Sequence, residues 1–107
     1  MTGHEAARSL LKEHFPFDSL SINDAPASPG VYLLYSGERL IYIGLAESGS
    51  TIRQCLKEHK KGSQSDCTSA ATGFDYEVSA SARRLYLSYL AIYREWSGGL
   101  SPACNEP

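Results

Sequence analysis

Two short runs of β-branched, aliphatic and aromatic residues lie close together in the first half of the chain. Residues 30–36 read Gly-Val-Tyr-Leu-Leu-Tyr-Ser, and residues 39–46 read Arg-Leu-Ile-Tyr-Ile-Gly-Leu-Ala. A Gly-Glu pair separates them. Runs of this composition on either side of a short turn are typical of a β-hairpin. The pattern therefore predicts a hairpin over residues 30–46.

Two registers of this hairpin are compatible with the sequence. A two-residue loop, residues 37–38, would place Tyr32 opposite Ile43 and turn Tyr42 to the other face. A three-residue loop, residues 36–38, would place Tyr32 directly opposite Tyr42. We favour the second register because it separates an aliphatic face from a face that bears both phenols. The aliphatic face would then consist of Val31, Leu33, Ile41 and Ile43.

Helical periodicity is present before and after the hairpin. Thr2 and Glu5 form a capping-box pattern at the start of an N-terminal helix that ends near residues 15–17. Residues 18–29 are rich in Ser, Ala, Pro and Asp, which predicts an extended connector. After the hairpin, Ser50 as N-cap and Gly62 as the stop signal predict a helix over residues 51–61. The apolar face of this helix would consist of Ile52, Cys55, Leu56 and His59.

The last third of the chain predicts one strand and one helix. Residues 74–78 alternate so that Phe74, Tyr76 and Val78 share a face. A helix from Ser81 to the Gly-Gly pair at 98–99 has little polar surface, which is typical of a buried central helix. The order hairpin, helix, strand, helix predicts an α/β (α+β) fold. We divide the 107 residues into residues 1–28, the N-terminal helix and connector, and residues 29–107, the domain itself.

Charge and cysteine content limit the function classes. Ten Lys and Arg residues against twelve Asp and Glu residues give a net charge of −2, so no overall basic field favours nucleic acid. A contact with DNA would need a local patch, such as the helix surface that carries Arg53, Lys57, Lys60 and Lys61; the alternative is that these side chains are simply solvated. The three cysteines form no Cys-x-x-Cys pair and cannot all pair within the chain, which favours a reducing compartment. With no signal peptide and no apolar run long enough for a membrane span, we expect a cytoplasmic protein that does not contact membranes.

Two short motifs in the hairpin point to a known family. The segments Gly30-Val31-Tyr32 and Tyr42-Ile43-Gly44 resemble the signature of the GIY-YIG nucleases. The tail Gly99-Leu100-Ser101-Pro102-Ala103-Cys104-Asn105 is similar to the Gly-x-Leu-Pro-x-Cys-Asn ending of small stand-alone members. The order of elements over residues 29–105 also matches. The resemblance implies a GIY-YIG endonuclease-like fold, in which a small three-stranded sheet is flanked by helices. It also implies hydrolysis of DNA phosphodiester bonds with Mg²⁺ or another divalent metal.

The same resemblance implies roles for individual residues. Tyr42 would act as, or assist, a general base that activates water, with Tyr32 beside it. The family arginine lies four residues before a His or Tyr, a position held here by Cys55, so Arg53 is the nearest candidate. The family metal-binding glutamate should fall within residues 85–89, where no residue is acidic, and Glu95 on the same helix lies about two turns too late. Further implied catalytic residues are His59 and Asn105, and implied substrate contacts are Gly44, Lys57, Lys60 and Lys61.

Three functional hypotheses follow. The first is a GIY-YIG-type endonuclease with a degenerate site, and the second is a catalytically silent domain of the same fold that binds nucleic acid, a protein partner or a second copy of itself. The third is thiol chemistry by Cys55 paired with His59, one helical turn apart. A zinc site formed by His59, Cys67 and Cys104 is weaker, because no two of these ligands have the short spacing of structural zinc sites.

Overall fold

A computed structural model describes residues 14–47, 49–63 and 65–105. The predicted N-terminal helix therefore lies, except for His14, outside the described residues. The strands are β1 (Phe15–Pro16), β2 (Gly30–Ser36), β3 (Arg39–Ala46) and β4 (Gly73–Val78). The helices are α1 (Ser19–Asn23), α2 (Ile52–Lys61), α3 (Asp66–Ser69) and α4 (Ala82–Ser97), followed by a 3₁₀ turn (Ala103–Asn105).

The strands form one antiparallel sheet in the order β1-β4-β2-β3. The three predicted strands are present, and the two-residue β1 adds a fourth by pairing Phe15 with Phe74. β2 is the inner strand with the longest pairings, and its residues 30–35 are all buried. The mixed α+β class expected from the sequence is confirmed.

The hairpin register differs from the one that the sequence favoured. Ser36 pairs with Arg39, so the loop has two residues, and Gly37 takes a positive φ of 61°. The register then shifts between Leu34 and Tyr35, whose partners are Tyr42 and Leu40. Ile41 is the extra residue of a β-bulge, and beyond it Tyr32 lies opposite Gly44. The predicted pairing of Tyr32 with Tyr42 is therefore wrong.

The bulge nevertheless leaves both tyrosines on one face of the sheet. Tyr32 and Tyr42 are diagonal neighbours with ring centroids 6.0 Å apart. Val31, Leu33 and Ile43 share the opposite face as expected, but Ile41 packs with the tyrosine side instead. Alternation alone misplaced Ile41, because one extra residue reverses the face of the residues on one side of it.

Two hydrophobic clusters cover the two faces of the sheet. The α2 face carries Tyr32, Leu34 and Phe74, which pack with residues of α1, α2 and the connector. These covering residues are Phe17, Ile22, Ala25, Ile52 and Leu56. The α4 face carries Val31, Leu33 and Ile43, which pack against Tyr89 and Tyr93.

Helix α4 is not the buried central helix that its composition predicts. Leu87 is 55% exposed and Ile92 is 37% exposed, whereas Tyr89 and Tyr93 are buried. The helix packs on one sheet face only, so half of its apolar circumference has no layer above it within the described residues. Gly98 ends it in the left-handed conformation, as predicted.

In the described part of the chain, no helix has both the length and the apolar character needed to traverse a bilayer.

Local signals placed α2 to within one residue. Thr51, not Ser50, is the N-cap, and its side chain accepts from the Gln54 amide. Gly62 ends the helix with φ 81°, as predicted. The connector is less extended than expected, because α1 forms within it with Asp18 as its N-cap.

Two of the three cysteines are bonded to each other. Cys67 of α3 and Cys104 of the 3₁₀ turn form a disulfide with a Cα–Cα distance of 5.7 Å. Cys55 is the free cysteine among the described residues. The sequence did not predict this pairing, because the fold brings together two segments whose separation in sequence carries no pairing signal.

Candidate functional site

Three rings from three elements meet on the α2 face of the sheet. Tyr32 comes from the central strand β2, Tyr42 from the edge strand β3 and His59 from the last turn of α2. The His59 ring centroid lies 5.5 Å from that of Tyr32 and 4.9 Å from that of Tyr42. We call these residues the phenol–imidazole cluster. The two sequence motifs and the predicted helix face thus meet at one place.

His59 is held at both of its ring nitrogens. Its Nε2 is 2.8 Å from the Tyr32 hydroxyl, and its Nδ1 is 2.8 Å from Oγ1 of Thr68. The Thr68 hydroxyl donates to the Ser65 carbonyl, so we assign Nδ1–H as the donor to Thr68 and the Tyr32 hydroxyl as the donor to Nε2. His59 is only 2% exposed, and burial lowers the pKa of this imidazole to about 4. The ring is therefore neutral at pH 7.

The two phenols of the cluster are weak acids. Burial, and after it the neighbouring Tyr42 phenol, raises the pKa of Tyr32 well above its usual range. Burial also raises the pKa of Tyr42, and the nearby Tyr86 phenol of α4 adds to this effect. Both hydroxyls therefore keep their protons at neutral pH. They are suited to donating hydrogen bonds rather than to removing a proton from water.

Gly44 makes room for this arrangement. A Cβ atom at Gly44 would overlap Cζ, Cε2 and the hydroxyl of Tyr32, because the Tyr32 ring crosses directly over the Gly44 backbone. The glycine of the second motif thus has a packing role that the hairpin register explains. This packing role explains why position 44 is a glycine without the substrate contact that the family resemblance implies for Gly44.

Asn105 reaches the cluster through the backbone of the edge strand. Its Oδ1 accepts from the Ile43 amide at 2.9 Å, and its Nδ2 donates to the Ile43 carbonyl at 3.0 Å. The carboxamide therefore satisfies both polar groups that Ile43 presents at the open edge of the sheet, as a further strand would. This fixes the backbone next to Tyr42.

Arg53 is bonded to the connector. Its guanidinium Nε donates to the carbonyl of Ala25 at 2.8 Å, which fastens the connector to α2. The Arg53 and Ile52 amides also bond to connector carbonyls, at Pro26 and Ser28. The side chain that the family resemblance would place near a phosphoryl group is thus engaged with the connector.

The three lysines lie on the side of α2 that turns toward α1. Lys57, Lys60 and Lys61 line a cavity of about 330 Å³ together with Ser19, Ile22 and Asn23 of α1. Lys60 Nζ also lies 5.2 Å from the ring centroid of Phe17. On an ideal helix, Lys60 points about 140° away from Cys55, whose side faces the cluster. The structure therefore separates the lysine cavity from the phenol–imidazole cluster.

Glu95 is not brought to the cluster either. The α4 residue near Tyr42 is Tyr86, and Glu95 lies nine residues, or about 13 Å of helix, beyond it. Across residues 14–47, 49–63 and 65–105, no group of three or more His, Cys, Asp or Glu side chains is placed to hold a metal ion. The cluster itself offers phenols and an imidazole, whereas Mg²⁺ prefers carboxylate oxygen. The donor set beside Tyr42 does not fit this metal.

The thiol and zinc hypotheses are contradicted by the contacts. Both ring nitrogens of His59 already have partners, and the Cys55 sulfur lies 3.3 Å from the Ser50 hydroxyl instead. The expected thiolate–imidazolium pair is therefore not formed. Cys67 and Cys104 are bonded to each other, so neither offers a thiolate to zinc.

The residue that sequence reasoning missed is Thr68. It is 1% exposed, it holds Nδ1 of His59, and it is itself fixed by the backbone and hydroxyl of Ser65. Its segment is a polar stretch that the sequence marks as a loop. One signal was available: Ser65 and Thr68 have the spacing of an N-cap and the third residue of a helix.

Comparisons of the chain with protein-family models, with curated proteins and with solved structures find no match.

Proposed function

We propose that this chain is a DNA-binding domain with a GIY-YIG-like fold that holds the phosphodiester backbone and does not cut it. The observation that carries this proposal is the convergence of Lys57, Lys60 and Lys61 on one cavity of about 330 Å³. The ammonium groups that these three side chains carry suit the closely spaced charges of a phosphate backbone. A cytoplasmic location is part of the proposal.

The charge balance limits how tightly DNA can bind. The net charge is −2, and Asp18 lies close enough to Lys60 for that ammonium to contribute to lowering the pKa of Asp18, after the hydrogen bonds from Ser21. Binding therefore depends on the local patch rather than on the whole surface. Three phosphate contacts correspond to a slope of about −2.7 for log K against log salt concentration.

The phenol–imidazole cluster supports binding better than cleavage. Tyr42 is partly exposed and its raised pKa keeps its hydroxyl protonated, so it can donate a hydrogen bond to a phosphate oxygen. The same property makes it a poor general base at neutral pH. Cys55 holds the position of the family arginine, and the nearest candidate, Arg53, is bonded to Ala25.

A binding titration with a short DNA duplex at several salt concentrations tests the proposal. Wild type should bind with a slope near −2.7, and replacing Lys57, Lys60 and Lys61 together with Gln should remove most of the affinity and most of the slope. A matched triple variant, in which Arg39, Arg84 and Arg94 become Gln, changes the net charge equally on exposed residues away from the cavity. Equal losses in both variants, or no salt-dependent binding by wild type, would refute the lysine cavity as the DNA site. Self-association of the unbound chain in the second case would favour a protein partner.

Phosphodiester hydrolysis with a divalent metal is the second candidate. The observation that favours hydrolysis is a chain of hydrogen bonds from Tyr32 through His59 to Thr68. In this chain the neutral imidazole of His59 accepts from the Tyr32 hydroxyl. A supercoiled plasmid incubated with the protein and Mg²⁺ or Mn²⁺ distinguishes the two candidates. Our proposal expects an intact plasmid. Nicking that depends on the metal and disappears in Tyr42→Phe would establish the nuclease instead.

A further inference from the structure

We infer that the Cys67–Cys104 bond is a thiol–disulfide switch that sets how firmly the phenol–imidazole cluster is held. The inference rests on the proposed function, because the expected consequence of the switch is a change in DNA binding. It also rests on the proposed cytoplasmic location, where reductants can reverse the bond. Disulfides of proteins in a reducing compartment are usually transient, catalytic or redox-sensing rather than permanent.

Each cysteine is the direct neighbour of a residue that positions the cluster. Cys67 precedes Thr68, which holds Nδ1 of His59 at 2.8 Å. Cys104 precedes Asn105, which holds both backbone groups of Ile43, next to Tyr42. One covalent bond thus joins the segment that orients the imidazole to the segment that fixes the strand of the exposed phenol.

Both joined segments are short. α3 has four residues and the 3₁₀ turn has three, so neither can form enough internal hydrogen bonds to be stable alone. Thr68 and Asn105 themselves contact different elements, α2 and β3 respectively. Breaking the bond therefore leaves each segment held by its own contacts, Thr68 with α2 and Asn105 with β3.

The bond is open to reagents in solution. Cys67 is exposed and Cys104 is partly exposed. A thiolate of a small-molecule thiol or of a protein dithiol attacks the Cys67 sulfur, and the S–S bond breaks as a mixed disulfide forms. A second thiolate of the reductant displaces Cys67 and forms the reductant's own disulfide. Two electrons pass from the reductant to the pair, and Cys67 and Cys104 each gain a proton.

Amide hydrogen exchange on the full chain, in its oxidised form and after treatment with reduced glutathione, tests the switch. The Ile43 amide donates to Asn105, so after reduction it should exchange at least 10-fold faster and through a local opening. It should then be less protected than the Leu33 amide of the central strand, which exchanges only on global unfolding. The ¹⁵N resonances of His59 should shift as Thr68 loosens. The double variant Cys67→Ser/Cys104→Ser should match the reduced form, and Cys55→Ser should respond like wild type.

The outcomes separate this inference from the proposed function. Equal Ile43 exchange and equal His59 resonances in the two forms would overturn the switch. Equal protection of Ile43 and Leu33 in the reduced form would also overturn it, because the bond would then act only as a general brace of the fold. A bond that remains intact in excess reduced glutathione would do the same. If the two forms differ as expected but neither binds DNA, the switch stands and the DNA-binding proposal fails.

Discussion

Gly44 and Tyr32 are fitted to each other at the level of single atoms. A methyl group at Gly44 would overlap the Tyr32 ring, which is 3% exposed and fixed by its bond to His59. Gly44→Ala should therefore lower the free energy of unfolding by about 1–3 kcal/mol or more, as overpacking does. Urea denaturation measures this change. Ser36→Ala, at an exposed site of the same hairpin, should change it by less than about 0.5 kcal/mol. Equal values for the two variants would contradict the packing of Tyr32 over Gly44.

His59 should make the stability depend on pH. Its pKa is about 4 in the folded chain and about 6.5 when unfolded, so the unfolded chain binds more protons between these values. The stabilising contribution is complete above pH 6.5 and is lost as the pH falls toward 4, to a total of up to about 3 kcal/mol. Urea denaturation at pH 7.5, 5.5 and 4.5 measures it.

Other groups also titrate in this range, so the comparison with His59→Gln is the informative one. The variant lacks the imidazole and should lose less stability than wild type over the same interval. If both proteins lose the same amount, His59 is not a buried neutral imidazole.

At the level of elements, α4 shows how an apolar helix can leave one side uncovered. Tyr93 is 9% exposed and packs edge-on against Trp96 over the sheet, whereas Leu87 is 55% exposed. Tyr93→Ala should lower the free energy of unfolding by about 3–5 kcal/mol, and Leu87→Ala by less than about 0.5 kcal/mol. Thermal or urea denaturation of the two variants checks this difference. A large loss in Leu87→Ala would mean that this side of α4 is covered after all.

The hairpin and α2 differ in how far local sequence determines them. The boundaries of α2 follow from Thr51 and Gly62, which act on groups within one turn of themselves. The two hairpin strands were also predictable from local sequence, in their case from the composition of residues 30–36 and 39–46. The register was not, because the bulge at Ile41 is fixed by packing on both faces of the sheet.

At the scale of the whole molecule, the Cys67–Cys104 bond closes a loop over a sequence separation of 37 residues. In the chain-entropy description a loop of this size stabilises the fold by about 4 kcal/mol. Replacing both cysteines with Ala should reduce the free energy of unfolding in non-reducing urea by about that amount. Cys55→Ala lacks this effect because Cys55 is not bonded, so it serves as the control. A double variant as stable as wild type would show that the bond does not constrain the unfolded chain.

The sequence by itself determined the class of fold, the strands and main helices of residues 30–97, and the residues that form the phenol–imidazole cluster. These features depend on periodicity, on caps and on short motifs, all of which act between near neighbours. Only the tertiary structure decided the register that places Gly44 under Tyr32, the partner of His59 at Thr68, and the bond between Cys67 and Cys104. It also decided that Arg53 is bonded to the connector and that the lysines lie apart from the cluster. Each of these features depends on which distant segments of the chain pack together. Contacts between distant segments produce no periodic pattern in a single amino-acid sequence.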